Sequence, residues 1–328
     1  MTGLISALNS AQVGSSQLVM IAGDPGIGQT RLTEELATLA SEEGFEVHWG
    51  RSYEDTGAPP YWPWTQIFRS YARTREQNVV SEELGANANI IADIFPDIKN
   101  WNLNLEAPPS MDVPESARFR LFEATSAFLT NASSQQPLML ILDDAHWADA
   151  PTLQFLQFFA RQLSNSRIII IGTYRDTELS RRHPLSGTLA DLNRERNYTR
   201  ITLRGLADQE IRSLVDQMGS VETTVEMADK IVSQTQGNPF FVKEIAYDLA
   251  TGHDPENPNQ PFRIPEGVKE VVGKRLNRIS EDANDLLRNA ALIGLEFDYR
   301  VLTRITNNAN EDEVAQLLEE AAAAHLVE

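Results

Sequence analysis

QLVMIAGDPGIGQT, residues 17–30, decides the fold. Gln17–Ala22 is a short apolar run of buried-strand length, Gly23–Gly28 is a glycine- and proline-rich turn, and an amphipathic helix is predicted from about Thr30 to Ser41. Strand, loop and helix in that order carry the pattern G-x-x-x-x-G-K-[ST], and Gly23-Asp24-Pro25-Gly26-Ile27-Gly28-Gln29-Thr30 matches every defined position except the lysine. Glycines at these places let main-chain N–H groups converge on phosphate oxygens, and the following helix points its positive end at them. Thr30 is placed to put its hydroxyl on Mg²⁺, and Arg31 is grouped with the loop as a nucleotide-binding residue. The plainer alternative is a glycine-rich turn with no ligand.

Gln29 is the departure. Lysine brings a full charge on a long stem, whereas glutamine brings a neutral amide on a shorter one. A charge-assisted hydrogen bond is worth roughly 1.5–3 kcal/mol, so its loss weakens triphosphate binding by about tenfold to a hundredfold. Hydrolysis suffers further, because phosphoryl transfer depends on charge stabilisation around the transferred group. Main-chain cradling can still hold a diphosphate.

Outward from this stretch, further strands are predicted at Phe45–Trp49, Leu138–Leu142, Ile168–Thr173 and Thr199–Leu203, with helical patterns between most of them. That alternation describes an α/β fold with a mostly parallel five-stranded sheet and helices on both faces. After Leu203 the strands stop. Helical periodicity covers Asp208–Met218, Val225–Gln234 and Phe240–Leu249, and Thr251–Phe262 has a linker composition. Helices are predicted again at Pro265–Arg278, Glu281–Ile293 and Glu311–Ala324. The domain reading is a nucleotide-binding α/β domain over 1–205, a helical lid over 206–250, a linker over 251–262 and a helical segment over 263–328. Glu328 follows an amphipathic helix with no capping glycine or polar tail, which suggests the front part of a longer protein.

Leu138–Asp144, LMLILDD, is an apolar strand ending in two acids. Such a strand about a hundred residues after a phosphate loop assigns Asp143 to the metal, directly or through water, and Asp144 to the attacking water. Alone, the pattern describes an ordinary strand-to-turn junction.

Composition bounds the rest. The 328 residues are 41% hydrophobic and 23% charged, enough for two or three domains. Against 47 acidic residues stand 28 basic ones, and the net charge of −19 disfavours nucleic acid and anionic membrane surfaces as partners. Cysteine is absent, which excludes disulfides, thiolate metal sites and a cysteine nucleophile. No run approaches the ~20 apolar residues of a membrane helix, and the N-terminus lacks a signal pattern, so a cytoplasmic chain is expected.

The string LDDAHWADAPTLQFL (Leu142–Leu156) resembles the Walker B region of the STAND class of P-loop ATPases, in particular the origin-recognition-complex-like AAA ATPase domain. That domain occurs in large LuxR-type transcriptional regulators and beside cyclase or kinase domains in signalling proteins. The likeness continues through GRSYEDTGAPPYWPW (Gly50–Trp64), ARFRLFEA (Ala117–Ala124), GTYRDTEL (Gly172–Leu179), QGNPFFVKE (Gln236–Glu244) and IPEGVKEVVGKRLNRIS (Ile264–Ser280). It implies a sensor role for Arg175 toward the γ-phosphate, the alternative being a surface arginine paired with Asp176. It also implies that Gly237-Asn238-Pro239 brings the lid to the adenine through Pro239, although the same residues read as a helix start with Asn238 as cap and proline at N1.

His146 and Trp147 are read as packing residues, and the cluster Tyr61, Trp62 and Trp64 as a loop anchored in the core. Arg118 and Arg120 are candidates for a phosphate site across a subunit boundary. The last segment, 263–328, resembles the winged-helix-like part of these ATPases. From Phe262 it holds 8 basic against 13 acidic residues, which is poor for DNA phosphates.

The resemblance therefore implies ATP or ADP with Mg²⁺ as ligands, and other protein domains or further copies of the chain as partners. Two readings stay open. One is a nucleotide-dependent switch with reduced turnover; the other is a scaffold that has lost it. A replication-initiator role ranks third because of the acidic C-terminal segment.

Overall fold

The computed structural model describes residues 1–54, 57–92, 94–100, 114–162, 165–180, 182–218, 228–229, 231–232, 235–250, 269, 273, 276–277, 279–294, 297–306, 311–324 and 326–327. The chain divides into two compact units, Met1–Leu203 and Arg204–Glu328.

The first unit is built on five strands, β1 (Gln17–Ala22), β2 (Glu46–Arg51), β3 (Leu138–Asp143), β4 (Ile168–Tyr174) and β5 (Tyr198–Thr202). All neighbours are parallel, in the order β2-β3-β4-β1-β5. This is the α/β fold with a parallel five-stranded sheet that the sequence predicts. A parallel sheet is covered on both faces, so its inner strands are apolar throughout rather than alternating. In β3 and β4 every residue is buried.

Alternate residues serve the two faces. Val19, Ile21, Met139, Ile141, Ile169 and Ile171 meet α1 (Thr2–Gln12) and α2 (Gln29–Glu42), which bury Leu4, Leu8 and Ala11, and Leu36 and Ala40, at helical spacing. Leu18, Met20, Leu138, Leu140, Leu142, Ile168 and Ile170 face the larger core.

That core is roofed by the connection between β2 and β3, which carries α3 (Trp62–Arg73), α4 (Gln77–Leu84), α5 (Ala88–Ile91) and α6 (Pro114–Gln135), and by α7 (Ala150–Gln162) and α8 (Pro184–Leu192). Trp64 is fully buried, stacked 5.3 Å from Phe159 and edge-on to Phe155 at 4.9 Å. Its indole N–H donates to Thr152 O at 3.2 Å. Tyr61 packs against Phe122 and Phe155, while Trp62 lies under the Arg69 guanidinium at 5.4 Å. The aromatic cluster is thus an anchor for α3. Gly50 explains how close α3 comes, because a Cβ there would collide with the Pro63 carbonyl.

Strand boundaries move by a residue or two from the predicted ones. Phe45 lies in the turn that closes α2, where its N–H donates to Ala40 O at 2.8 Å across the left-handed Gly44, and pairing begins at Glu46.

The second unit contains α9 (Asp208–Met218), α10 (Pro239–Ala250), α11 (Glu281–Ile293), α12 (Tyr299–Ile305) and α13 (Glu311–Ala323). Ile211, Val215, Ile231, Val242 and Ala246 form one apolar cluster, and Leu286, Ala290, Leu302 and Val314 form another. Helix α12, capped by Asp298 through Arg300 N–H at 2.8 Å, was not anticipated; it is only seven residues long and lacks a clear apolar period. The linker Thr251–Phe262 lies outside the described residues, as do most of Val225–Gln234 and Pro265–Arg278. Among the described residues, no helix is long and apolar enough to cross a membrane.

Candidate functional site

Gly23–Gly28 joins β1, an inner strand, to α2. Gly26 and Gly28 have φ of 82° and 100°, which side chains rarely tolerate, and a Cβ on Gly23 would lie 2.6 Å from Ile27 Cγ2. Ile27 is buried and anchors the loop from below, its N–H donating to Asp24 O at 3.1 Å, while Asp24 and Gly26 are exposed. The first i→i−4 bond of α2 runs from Leu32 N–H to Gly28 O at 2.9 Å. The N–H groups of Gln29, Thr30 and Arg31 therefore lie ahead of it, at the positive end of a 14-residue helix. This backbone fits a phosphate chain. Thr30 is exposed, and Arg31 turns away along α2 to pair with Glu34 and Glu35.

Gln29 points the other way. Its amide nitrogen donates to Ile21 O at 2.9 Å and to Tyr174 O at 2.5 Å, so the side chain bolts the start of α2 to the ends of β1 and β4. Tyr174 O also accepts the Gly23 N–H at 3.3 Å.

Because all strands are parallel, β3 and β4 end on the same edge of the sheet as the loop. With β4 between them, β1 and β3 lie roughly 10 Å apart. Asp143 closes β3 and is 2% exposed. Its Oδ1 accepts from the Thr173 hydroxyl at 2.7 Å, and its Oδ2 accepts from Arg51 Nε at 3.0 Å and Nη2 at 2.8 Å. Thr173 in turn accepts the Asp144 N–H at 2.9 Å and so links the two acids.

Asp144 has φ 55°, an uncommon conformation for a residue with a side chain, and it starts the turn Ala145–Trp147. Burial, followed by the neighbouring Asp143 charge, pushes its carboxyl above the usual range, against the pull of Arg175 and Arg51.

Arg175 follows β4. It does not pair with Asp176, which Arg200 takes at 2.8 and 3.0 Å. Instead Nη1 donates to Glu178 Oε1 at 2.7 Å, and the guanidinium lies 5.1 Å over the Trp147 ring. His146 is buried beside this group, with Nε2 3.4 Å from Glu178 Oε2 and its ring 4.6 Å from Trp147. Desolvation pulls its imidazole down to about 4, so it is neutral at pH 7 and acts as packing.

Pro239 belongs to the second unit, at the first position of α10. The Asn238 side chain accepts the Phe240 N–H at 3.1 Å, Gln236 and Gly237 have φ of 50° and 73°, and Gly237 O accepts the Leu206 N–H at 2.7 Å. The turn is a capped helix start held against Leu206. Arg118 is exposed and Arg120 half-buried, both on α6.

Asp143 does not offer Mg²⁺ a free carboxylate as placed: both oxygens are engaged and its charge already faces a guanidinium. Arg51, Thr173 and Glu178 escaped the sequence reading as site residues. Each lies inside a stretch that carried the resemblance, yet only the pairing of the strand ends shows what each touches.

Residues 1–171 match the family described as AAA ATPase domain. No curated protein sequence matches the chain. Among solved structures, a mutant RuvB of Thermotoga maritima superimposes with a TM-score of 0.39 at 15% identity, covering 97% of this chain and 84% of that one. Cdc6p from Pyrobaculum aerophilum gives 0.37 at 12% identity over 97% and 83%. A chain of Drosophila ORC bound to DNA gives 0.32 at 10% identity over 62% and 87%. These superpositions are loose. On the sequence match over its first 171 residues, which span its P-loop, its acid-tipped β3 and most of its sheet, the chain belongs to the AAA ATPase domain family.

Proposed function

We propose that the chain is a nucleotide-binding regulatory module in which ATP or ADP is held chiefly by the backbone of Gly23–Thr30, with hydrolysis weakened or lost. One observation carries this reading: the Gln29 amide is spent on the Ile21 and Tyr174 carbonyls, so the glycine cradle is intact while its usual cation is missing. Main-chain donors at a helix start bind phosphate without a side-chain charge, whereas transition-state stabilisation needs one. In this reading Asp144 and Arg175 are the remaining residues that act on the γ-phosphate side. The segment 206–250 is the lid that brings Pro239 to the adenine, and 263–328 is a winged-helix-like packing module.

The motif strings support membership of the STAND class, as found in LuxR-type and cyclase- or kinase-linked regulators. Nucleotide exchange then shifts the arrangement of core and lid through differential affinity. Its partners are other protein domains or further copies of the chain in the cytoplasm, rather than nucleic acid or membrane. A second reading, an inactive scaffold derived from such an ATPase, is favoured by Arg175 being clasped by Glu178 and laid over Trp147.

Titration calorimetry with ATP and ADP on the wild type and on Gln29→Lys separates the two. The module reading requires measurable wild-type binding that tightens by roughly tenfold to a hundredfold in the variant. Wild-type protein that binds neither nucleotide, beside a variant that binds both, supports the scaffold. Phosphate release from the same pair then measures residual turnover.

A further inference from the structure

Asp143 occupies the place where a divalent ion would be recruited, yet its oxygens are committed. The Arg51 fork sets two N–H groups on Oδ2, at 3.0 and 2.8 Å, and the Thr173 hydroxyl covers Oδ1 at 2.7 Å. An ionised carboxylate accepts at about four lone-pair positions, so at most one is left, on the side of Thr173. Arg51 is not adventitiously placed. Its backbone is fixed from both sides by Gln66, whose Oε1 accepts the Arg51 N–H at 3.3 Å and whose Nε2 donates to Arg51 O at 2.8 Å. The carboxylate is almost fully buried while the guanidinium is half exposed, so the pair presents its positive member to solvent.

We propose that Arg51 takes the place of the divalent cation at Asp143, and that the site binds nucleoside di- or triphosphate independently of Mg²⁺. A cation approaching Asp143 meets a guanidinium that stays protonated at any working pH, and it must displace a two-donor fork to reach Oδ2. The polyphosphate is meanwhile met by main-chain N–H groups of the glycine loop, which need no metal bridge. This inference rests on the nucleotide-binding reading above.

The test is titration calorimetry of the full chain with ADP in EDTA and in millimolar Mg²⁺, for the wild type, Arg51→Ala and Arg51→Gln. Far-UV circular dichroism confirms that the variants, altered at a half-exposed side chain, stay folded. Wild-type Kd values that agree within about threefold in the two buffers, with Mg²⁺ tightening binding to both variants by roughly tenfold or more, establish the role of Arg51. Wild-type binding that tightens tenfold with Mg²⁺ overturns the proposal and leaves nucleotide binding standing. So do variants as indifferent to Mg²⁺ as the wild type. Absence of ADP binding in every protein and buffer overturns the nucleotide-binding reading, and this inference with it.

Discussion

Replacing Gln29 by alanine tests whether the missing lysine has been put to structural use. The side-chain amide donates to Ile21 O and Tyr174 O from a half-buried position, and each neutral bond is worth about 1 kcal/mol net. Tyr174 O keeps the Gly23 N–H at 3.3 Å, so it is not orphaned and the larger penalty for an unpaired buried carbonyl does not apply there. Alanine returns a few tenths of a kcal/mol through its helix propensity. The expected cost is ~1.5–2 kcal/mol, a fall in Tm of roughly 3–8 °C for a unit of this size. All five tryptophans lie between residues 49 and 147, so urea unfolding followed by tryptophan fluorescence reports on the first unit alone. Gln29→Lys, whose ammonium can donate to the same carbonyls, is expected to stay within about 0.5 kcal/mol of the wild type. A Gln29→Ala midpoint indistinguishable from wild type would refute the claim that this side chain bolts α2 to the sheet.

Three further outcomes follow from the geometry. Gly237→Ala places a methyl group against the Leu206 carbonyl at a φ of 73°, and should destabilise the second unit by about 2–4 kcal/mol, read by hydrogen exchange of α9 and α10 amides. Burial would raise the Glu46 carboxyl, but the His48 imidazole 3.4 Å away, the hydrogen bond from the Thr74 hydroxyl and the Arg75 guanidinium at 2.8 Å outweigh it and hold it down at about 2. Its folded pKa lies below the ordinary 4.5, so its stabilisation is complete above about pH 4.5 and drains away as pH falls toward 2; Glu46→Gln should flatten that part of the stability curve by about 1–2 kcal/mol after screening, measured by urea midpoints at stepped pH. Glu178→Gln loosens the clasp on Arg175 and should raise affinity for ATP relative to ADP by roughly threefold to tenfold, read by calorimetry; an unchanged ratio would remove Arg175 from the γ-phosphate side.

The core of the first unit was legible because the signals there are local. Five apolar runs, each bounded by turn residues, gave five strands to within two residues, and the glycine loop announced its own position between strand and helix. The four α-helices described between β2 and β3 were not told apart one by one. Helix α6 carries Phe119, Phe122, Thr125, Ser126 and Phe128 on several sides, so its apolar period is blurred, and α5 is a single turn. At the site, sequence could nominate Asp143, Asp144, Arg175 and Gln29 by residue type. It could not foresee that Arg51, 92 positions before Asp143, would claim that carboxylate, since the contact follows from β2 pairing with β3 in the register Arg51↔Asp143. The partner of Arg175 was hidden for a similar reason: a three-residue turn after β4 brings Glu178 back over it, while Arg200 on β5 takes Asp176, the neighbour that the alternative to the sensor role had named.

The strand order sets a timetable for synthesis on the ribosome. Strand β1 pairs only with β4 and β5, so the strand that carries the glycine loop leaves the exit tunnel well before Ile168 is made. At ordinary translation speeds that wait is on the order of ten seconds. Meanwhile β2 and β3 can already pair with each other. The nascent sheet therefore starts from its far margin, and QLVMIA, among the most apolar segments of the chain, must be sheltered by α1, by α2 or by a chaperone until its own neighbours arrive.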